Sequence, residues 1–295
     1  MKIGLVDSAD THLSSAIRSR LSNGDVVLFA GSGLSAQAAT DDGQHPPLWA
    51  GLLRGMVSWC REQAIIDSET ATELNTFIEQ GYLIEAGQEI QDVLSESSQL
   101  GTCLRDVIHC NGAPKIGKAH ALIAELPFRA ILTTNYDGFI ETAFAIRHKT
   151  ELPRFFRPEL MNGVVPEYMK QKPFIVKLHG DLNDPKSIVL GYRQYERLLY
   201  DDQTYRYCLE TIFGTSSVLF IGFGGSDPDL ESIISRVSSF TGRRRAHWML
   251  VPRGTFPYLK AKRMLVDKGI TVIEYEKDSM HTGVIDFLER LRVTT

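Results

Sequence analysis

The sequence has few cysteines and no close pair of them. Its four, Cys60, Cys103, Cys110 and Cys208, form no CxxC, and Cys103 and Cys110 are not spaced as a zinc knuckle. This excludes a cysteine-held zinc module and a disulfide-framed secreted domain, and leaves free thiols in a reducing compartment. Long apolar runs are missing as well, since none approaches the roughly 18 residues of a membrane-spanning helix. The opening MKIGLVDSADTHL carries charges where a secretion signal needs an apolar core. The expectation is a cytoplasmic protein with no membrane contact. No one sign of charge dominates. A net charge of −4 gives no general pull toward nucleic acid, and the basic run Arg243-Arg244-Arg245 reads as a solvated loop. Internal repeats and low-complexity tracts are absent.

What is present is a chain of 295 residues, 43% hydrophobic, enough for one large domain or two small ones with a substantial core. Leu13, Ala16, Ile17 and Leu21 share a helical face that ends at Gly24. VVLFA at 26–30 follows with no polar alternation, as in the centre of a parallel sheet. Similar runs recur as AILTT at 130–134, PFIVKL at 173–178, SVLFIG at 217–222, HWMLVP at 247–252 and GITVIEY at 269–275. About six strands joined by crossovers predict an α/β fold, a Rossmann-like doubly wound parallel sheet.

The stretch between the first two of these strands holds no good strand. Trp49, Leu52, Leu53, Met56, Val57 and Cys60 fall at helical spacing, and further helical patterns cover roughly 69–80, 82–95, 99–110 and 117–126. This is too long for an ordinary connection. The predicted organisation is therefore a Rossmann-like domain of 1–47 and 127–295, with a helical subdomain inserted at 48–126. A second insertion at about 150–172, rich in proline and irregular in pattern, reads as a mobile cover over a site.

Open parallel sheets bind ligands at the carboxyl ends of their strands, and four strand ends here carry chemistry. The first is Ala30-Gly31-Ser32-Gly33-Leu34-Ser35, where glycines permit a sharp turn and free amides at a helix start would attract a phosphate. It is neither GxGxxG nor a P-loop. The second is Thr133-Thr134-Asn135-Tyr136-Asp137. Asn135 offers donors and an acceptor to ribose hydroxyls or a water. Asp137 either does likewise or caps the helix that follows. The third is Lys177-Leu178-His179-Gly180-Asp181, which places a histidine to act as a base near neutral pH. Of the eight histidines, His120 sits on a helix face with no company. The fourth is Gly222-Phe223-Gly224-Gly225-Ser226-Asp227-Pro228-Asp229, a strong helix start in which Ser226 or Asp227 would also suit an adenosine ribose.

In this order the four segments resemble the sirtuin-like NAD-binding fold, and most closely the bacterial sirtuin-like NAD-hydrolase domains of antiviral defence systems. The resemblance covers most of 12–290 and is specific in combination. It implies that Ala30, Gly31, Ser32, Gly33 and Ser35 line the pyrophosphate and ribose of NAD, and that Asn135 and Asp137 sit at the nicotinamide ribose. By the same resemblance His179 is the catalytic base, and Gly222, Ser226 and Asp227 hold the adenosine side. It also implies NAD as substrate, no zinc, a homo-oligomer, and a HerA-type ATPase as a candidate partner. Two features of the family's protein deacylases are missing, the zinc module and a Pro-Asp-Phe-Arg stretch after the first loop, where AQAATDDGQHPP stands instead. These departures favour water as the acceptor, so the expected activity is NAD glycohydrolysis to nicotinamide and ADP-ribose. A deacylase or ADP-ribosyltransferase, and a non-catalytic nucleotide-binding subunit, are the alternatives.

Overall fold

A computed structural model describes residues 4–96, 98–149, 152–223, 234–235 and 246–292. Eight strands form one parallel sheet: β1 (Leu5–Asp7), β2 (Val26–Ala30), β3 (Ala130–Thr133), β4 (Arg154–Phe156), β5 (Phe174–Lys177), β6 (Ser217–Ile221), β7 (His247–Pro252) and β8 (Ile270–Tyr275). Their order is β1-β8-β7-β6-β2-β3-β5-β4. From β2 the chain builds outward through β3 and β5, then returns to the other side of β2 with β6. That reversal between β2 and β6 opens a crevice at the carboxyl ends of the strands. The fold is the expected Rossmann-like α/β class.

The strands are apolar on both faces because both faces are covered. Val27, Phe29, Ala130, Leu132, Val218 and Phe220 enter one core, and Val26, Leu28, Ile131, Leu219 and Ile221 enter the other. This period-two split within continuous apolar runs is how a parallel sheet with helices on each side is built.

The two strands beyond the expected six are the edge strands β1 and β4, each of three residues. Runs that short carry no readable alternation. Strand β4 also corrects the expectation of a mobile cover at 150–172. After β4, Pro158–Gly163 forms a 3-10 turn and Val164–Met169 a short helix. Phe156, Met161, Val164 and Tyr168 are buried in the first core. The prolines that suggested irregularity instead start helical turns or flank a strand, where a missing N–H is tolerated.

Four helices, Trp49–Glu62, Ser68–Gln80, Leu83–Glu96 and Leu100–Ile108, gather around a third core of their own. Tyr136, Leu182, Ile188 and Leu190 reach into that core from the segments after β3 and β5. The helical layer is thus packed onto the loops that carry the second and third motifs. The fifth predicted helix, Lys118–Glu125, packs on the sheet through Ala119, Leu122 and Ile123. Among the described residues no helix is long and apolar enough to cross a membrane.

Candidate functional site

The turn after β2 is built by close approach. Gly222 stands at φ +83°, and a Cβ there would lie 2.5 Å from the backbone N of Leu34. The Gly33 N–H donates to the Gly222 carbonyl at 2.8 Å, and the Gly31 N–H to the Ile221 carbonyl at 2.9 Å. Only a residue without a side chain serves at this contact, where positive φ and steric contact coincide. Gly222 therefore acts through its backbone, clamping the first turn to the end of β6. The same bonds correct one expectation: the amides of Gly31, Gly33 and Leu34 are already paired with backbone carbonyls rather than free for a phosphate. What the turn presents to the cleft is the side chains of Ser32 and Ser35. Ser226 and Asp227, with the rest of that fourth motif from Gly224 to Asp229 and the Arg243–Arg245 run, lie outside the described residues.

The second motif is tied to the first. Asn135 donates from Nδ2 to the Gly31 carbonyl at 2.9 Å, and its own N–H donates to Thr133 Oγ1 at 3.0 Å. Asp137 accepts from Ser35 Oγ at 2.5 Å and from the Phe139 N–H at 3.1 Å. The residue at the helix cap is Gly138. Asp137 is thus not the cap itself, but from the position before it accepts the Phe139 N–H at the start of the helix Phe139–His148 and bonds a serine of the first turn.

The third motif brings His179, which is buried, into the same cleft. Gly180 at φ +91° lets the chain turn there, since a Cβ would stand 2.1 Å from the Ser187 carbonyl oxygen. Burial pushes the imidazole down to about 3, so it is neutral at physiological pH. Tyr195 meets it edge-on, ring centroids 5.0 Å apart, with its oxygen 3.4 Å from Nδ1.

Ser32, Ser35, Thr134, Asn135, Asp137 and His179 form the polar wall of one cleft of about 570 Å³, part of it open to solvent. The facing wall is apolar and comes largely from the helical layer and its approach: Pro46, Pro47, Trp49, Leu52 and Ile108. Ala30, Gly31, Gly33 and Gly222 lie behind the polar wall as its scaffold. Among the described residues, no group of three or more His, Cys, Asp or Glu gathers to hold a metal.

Sequence reasoning gave no role to two residues that shape this site, Tyr195 in its lining and Lys177 behind it. Lys177 is a charge in an otherwise apolar strand and is wholly buried. Its Nζ donates to the carbonyls of Tyr136 (3.1 Å) and Asp137 (2.6 Å) and pairs with Asp181 (2.9 Å) and Glu141 (3.0 Å). One ammonium therefore fastens the loop after β3 to the loop after β5. Burial opposes the charged ammonium, but the carboxylates of Glu141, Asp181 and Asp137 overcome it and raise its pKa. The cation inside FIVKL was the signal that could have found it. Tyr195 carried no such signal, because nothing in its local pattern sets it apart from a core tyrosine.

His120 is not without company. Its Nδ1 accepts from the Gly117 N–H at 3.2 Å, its ring meets Phe139, and burial lowers it to about 4 against the pull of Asp137. His120 and His179 therefore make stability depend on pH. Above about 6.5 both are neutral in either state. As pH falls, the unfolded chain takes up protons at these positions before the folded one does. Stability should fall by up to about 1.4 kcal/mol per pH unit for each histidine, beginning near 6.5 and running toward the folded values. Thermal melts between pH 7 and 5 check this, and a midpoint unchanged across that window would contradict it.

Fold and site together define a class: a Rossmann-like α/β protein with a ligand cleft at the carboxyl ends of its parallel strands, walled on one side by an added helical layer. Comparison with known proteins narrows this. Residues 129–273 match the SIR2-like domain, a span that takes in Asn135, Asp137 and His179. The chain is 30% identical over 220 residues to the NAD(+) hydrolase ThsA of Enterococcus faecium, covering 74% of this chain and 41% of that protein. It is 26% identical over 232 residues to NAD(+) hydrolase ThsA of Bacillus cereus, covering 78% of this chain and 43% of the relative. The chain thus spans less than half the length of the curated relatives it matches.

Proposed function

We propose that this chain is an NAD glycohydrolase that splits NAD into nicotinamide and ADP-ribose in defence against phage. The observation that carries the reading is the joining, in one cleft, of Asn135, Asp137 and His179 with the serines of the first turn. The resemblance to NAD(+) hydrolases over most of the chain supports it.

The chemistry fits the composition of the wall. A glycoside with an alkoxide leaving group needs a pair of carboxyl groups, one of them an acid. The nicotinamide of NAD leaves as a neutral pyridine from a pyridinium and needs no acid. Among the described residues, the lining of the cleft contains a single carboxylate, Asp137, already bonded to Ser35. What remains is to orient the ribose, tolerate a developing oxocarbenium ion and deliver water. In this reading Ser32 and Ser35 hold the pyrophosphate and ribose, and Gly222, Ser226 and Asp227 belong to the adenosine side. Asn135, held by Gly31 and Thr133, orients the ribose hydroxyls or the water. Neutral His179 accepts the water's proton. The C1′–N bond breaks with its electron pair passing to the pyridinium nitrogen, while the water oxygen bonds to C1′. A neutral imidazole places no second positive charge beside the developing cation.

The apolar wall supplied by the helical layer suits the nicotinamide ring and the exclusion of bulk water. We assign 48–126 to an inserted unit on this basis, with its last helix lying on the sheet. Control of the activity would come from association, with further copies of the chain or with a HerA-type ATPase. The test is direct: purified protein with NAD, following nicotinamide and ADP-ribose without any peptide. Release only when an acylated peptide is present would favour a deacylase. Binding of NAD without turnover, alone and with the partner, would favour a nucleotide-binding subunit.

A further inference from the structure

A neutral imidazole carries one proton, and which nitrogen holds it is decided by the partner of the other nitrogen. If Nδ1 of His179 accepted a hydrogen bond, Nε2 would carry the proton and could only donate. If Nδ1 donates, Nε2 is a bare acceptor. Because burial keeps this ring neutral, the choice is not erased by double protonation.

The group facing Nδ1 is the hydroxyl of Tyr195, at 3.4 Å and with the rings at 87°. We propose that Tyr195 is a positioning residue: its oxygen accepts the Nδ1 proton of His179 and so leaves Nε2 unprotonated toward the cleft. At 3.4 Å the contact is at the long end of hydrogen-bond distances.

The placement of Tyr195 is itself constrained. The Val189 N–H donates to the His179 carbonyl at 2.9 Å, so the segment that leaves the histidine backbone returns to its ring at Tyr195. The helix Tyr192–Glu196 is gripped at its start by the helix Leu83–Glu96. The Gly191 N–H donates to Gln91 Oε1 at 3.1 Å, and the Arg193 N–H to Gln88 Oε1 at 3.0 Å. A Cβ on Gly191 would lie 2.7 Å from the Gln88 backbone, and one on Gly87 would lie 2.5 Å from the Leu190 carbonyl oxygen, so the contact is backbone to backbone. Two buried glutamines of the helical layer therefore fix the turn that carries Tyr195 to the histidine.

The kinetic part of this inference and the direction of the Nδ1 bond rest on the hydrolase reading above, which needs a bare Nε2; the spectra read the tautomer without any turnover. Tyr195→Phe keeps the ring and removes the oxygen. In steady-state assays with NAD its kcat should fall about 10-fold or more, the scale of one hydrogen bond lost in a buried site, while KM stays within about twofold. In long-range proton–nitrogen spectra of ¹⁵N-histidine-labelled protein, with the His179 signals identified by their loss in His179→Ala, wild type should show the Nδ1-protonated form. Tyr195→Phe should shift it toward the Nε2-protonated form. Wild-type kcat and an unchanged tautomer in Tyr195→Phe would overturn the proposal. Full turnover in His179→Ala would remove His179 as the base while leaving the hydrolase reading standing, absence of NAD turnover in wild type would remove that reading, and the spectra would still decide the role of Tyr195.

Discussion

Replacing His179 with alanine is expected to slow nicotinamide release by about 10² to 10⁴-fold, the usual effect of removing a general base, with NAD binding and the fold retained. The basis is geometric. His179 stands at the end of β5 in the wall that also holds Asn135 and Asp137, and it is neutral because it is buried. The oxocarbenium ion formed when nicotinamide leaves is captured by water, and the proton shed in that capture must go to a neighbouring acceptor. Asp137 is less suited, since both of its oxygens are bonded, to Ser35 and to the Phe139 N–H. Calorimetric titration with NAD separates a binding defect from a chemical one. His179→Gln, closer in volume to histidine, checks that any loss is not merely a collapsed cleft. Wild-type release by either variant would end the assignment of His179 as the base.

The second large effect is expected at Lys177. Lys177→Met keeps a straight apolar stem and removes the ammonium. It leaves the carboxylates of Glu141 and Asp181 and the carbonyls of Tyr136 and Asp137 without their shared donor. Breaking a buried pair by deleting one partner costs about 3–5 kcal/mol, because the other charge stays behind uncompensated. The carboxyl of Glu141, already raised by burial despite the ammonium beside it, would rise further. Denaturant unfolding measures the loss. The double variant Lys177→Met with Glu141→Gln should recover part of it, and that non-additivity is the signature of direct coupling. Activity should fall too, since Lys177 fastens the loop bearing Asn135 to the loop bearing His179. Unchanged stability in Lys177→Met would mean that this network contributes nothing net.

The parts of this protein legible in its sequence were those written in local pattern. Continuous apolar runs of four or more residues marked the six inner strands, because a strand buried on both faces has no polar positions. Helical spacing marked the added helices to within a few residues. The short edge strands β1 and β4 escaped because three residues carry no periodicity, and the segment 150–172 misled because prolines that punctuate turns look the same as prolines in a loose loop. Of the candidate site, three strand ends, after β2, β3 and β5, pointed to Ser32, Ser35, Asn135, Asp137 and His179 as neighbours in one cleft, since the carboxyl ends of neighbouring parallel strands meet whatever lies between them.

Only the tertiary structure decided what those residues do to one another. The amides of Gly31, Gly33 and Leu34 are spent on the carbonyls of Ile221, Gly222 and Gly31, Asn135 is held by Gly31, and Asp137 reaches Ser35 across 102 positions of sequence. The facing wall and Tyr195 beside the histidine have no motif to announce them, and Lys177, visible only as a cation in an apolar strand, owes its role to its four partners. A lysine's ionisation in the core and a histidine's tautomer depend on burial and on a partner's direction. Both are set by packing between segments far apart in the chain, and no local spacing encodes them.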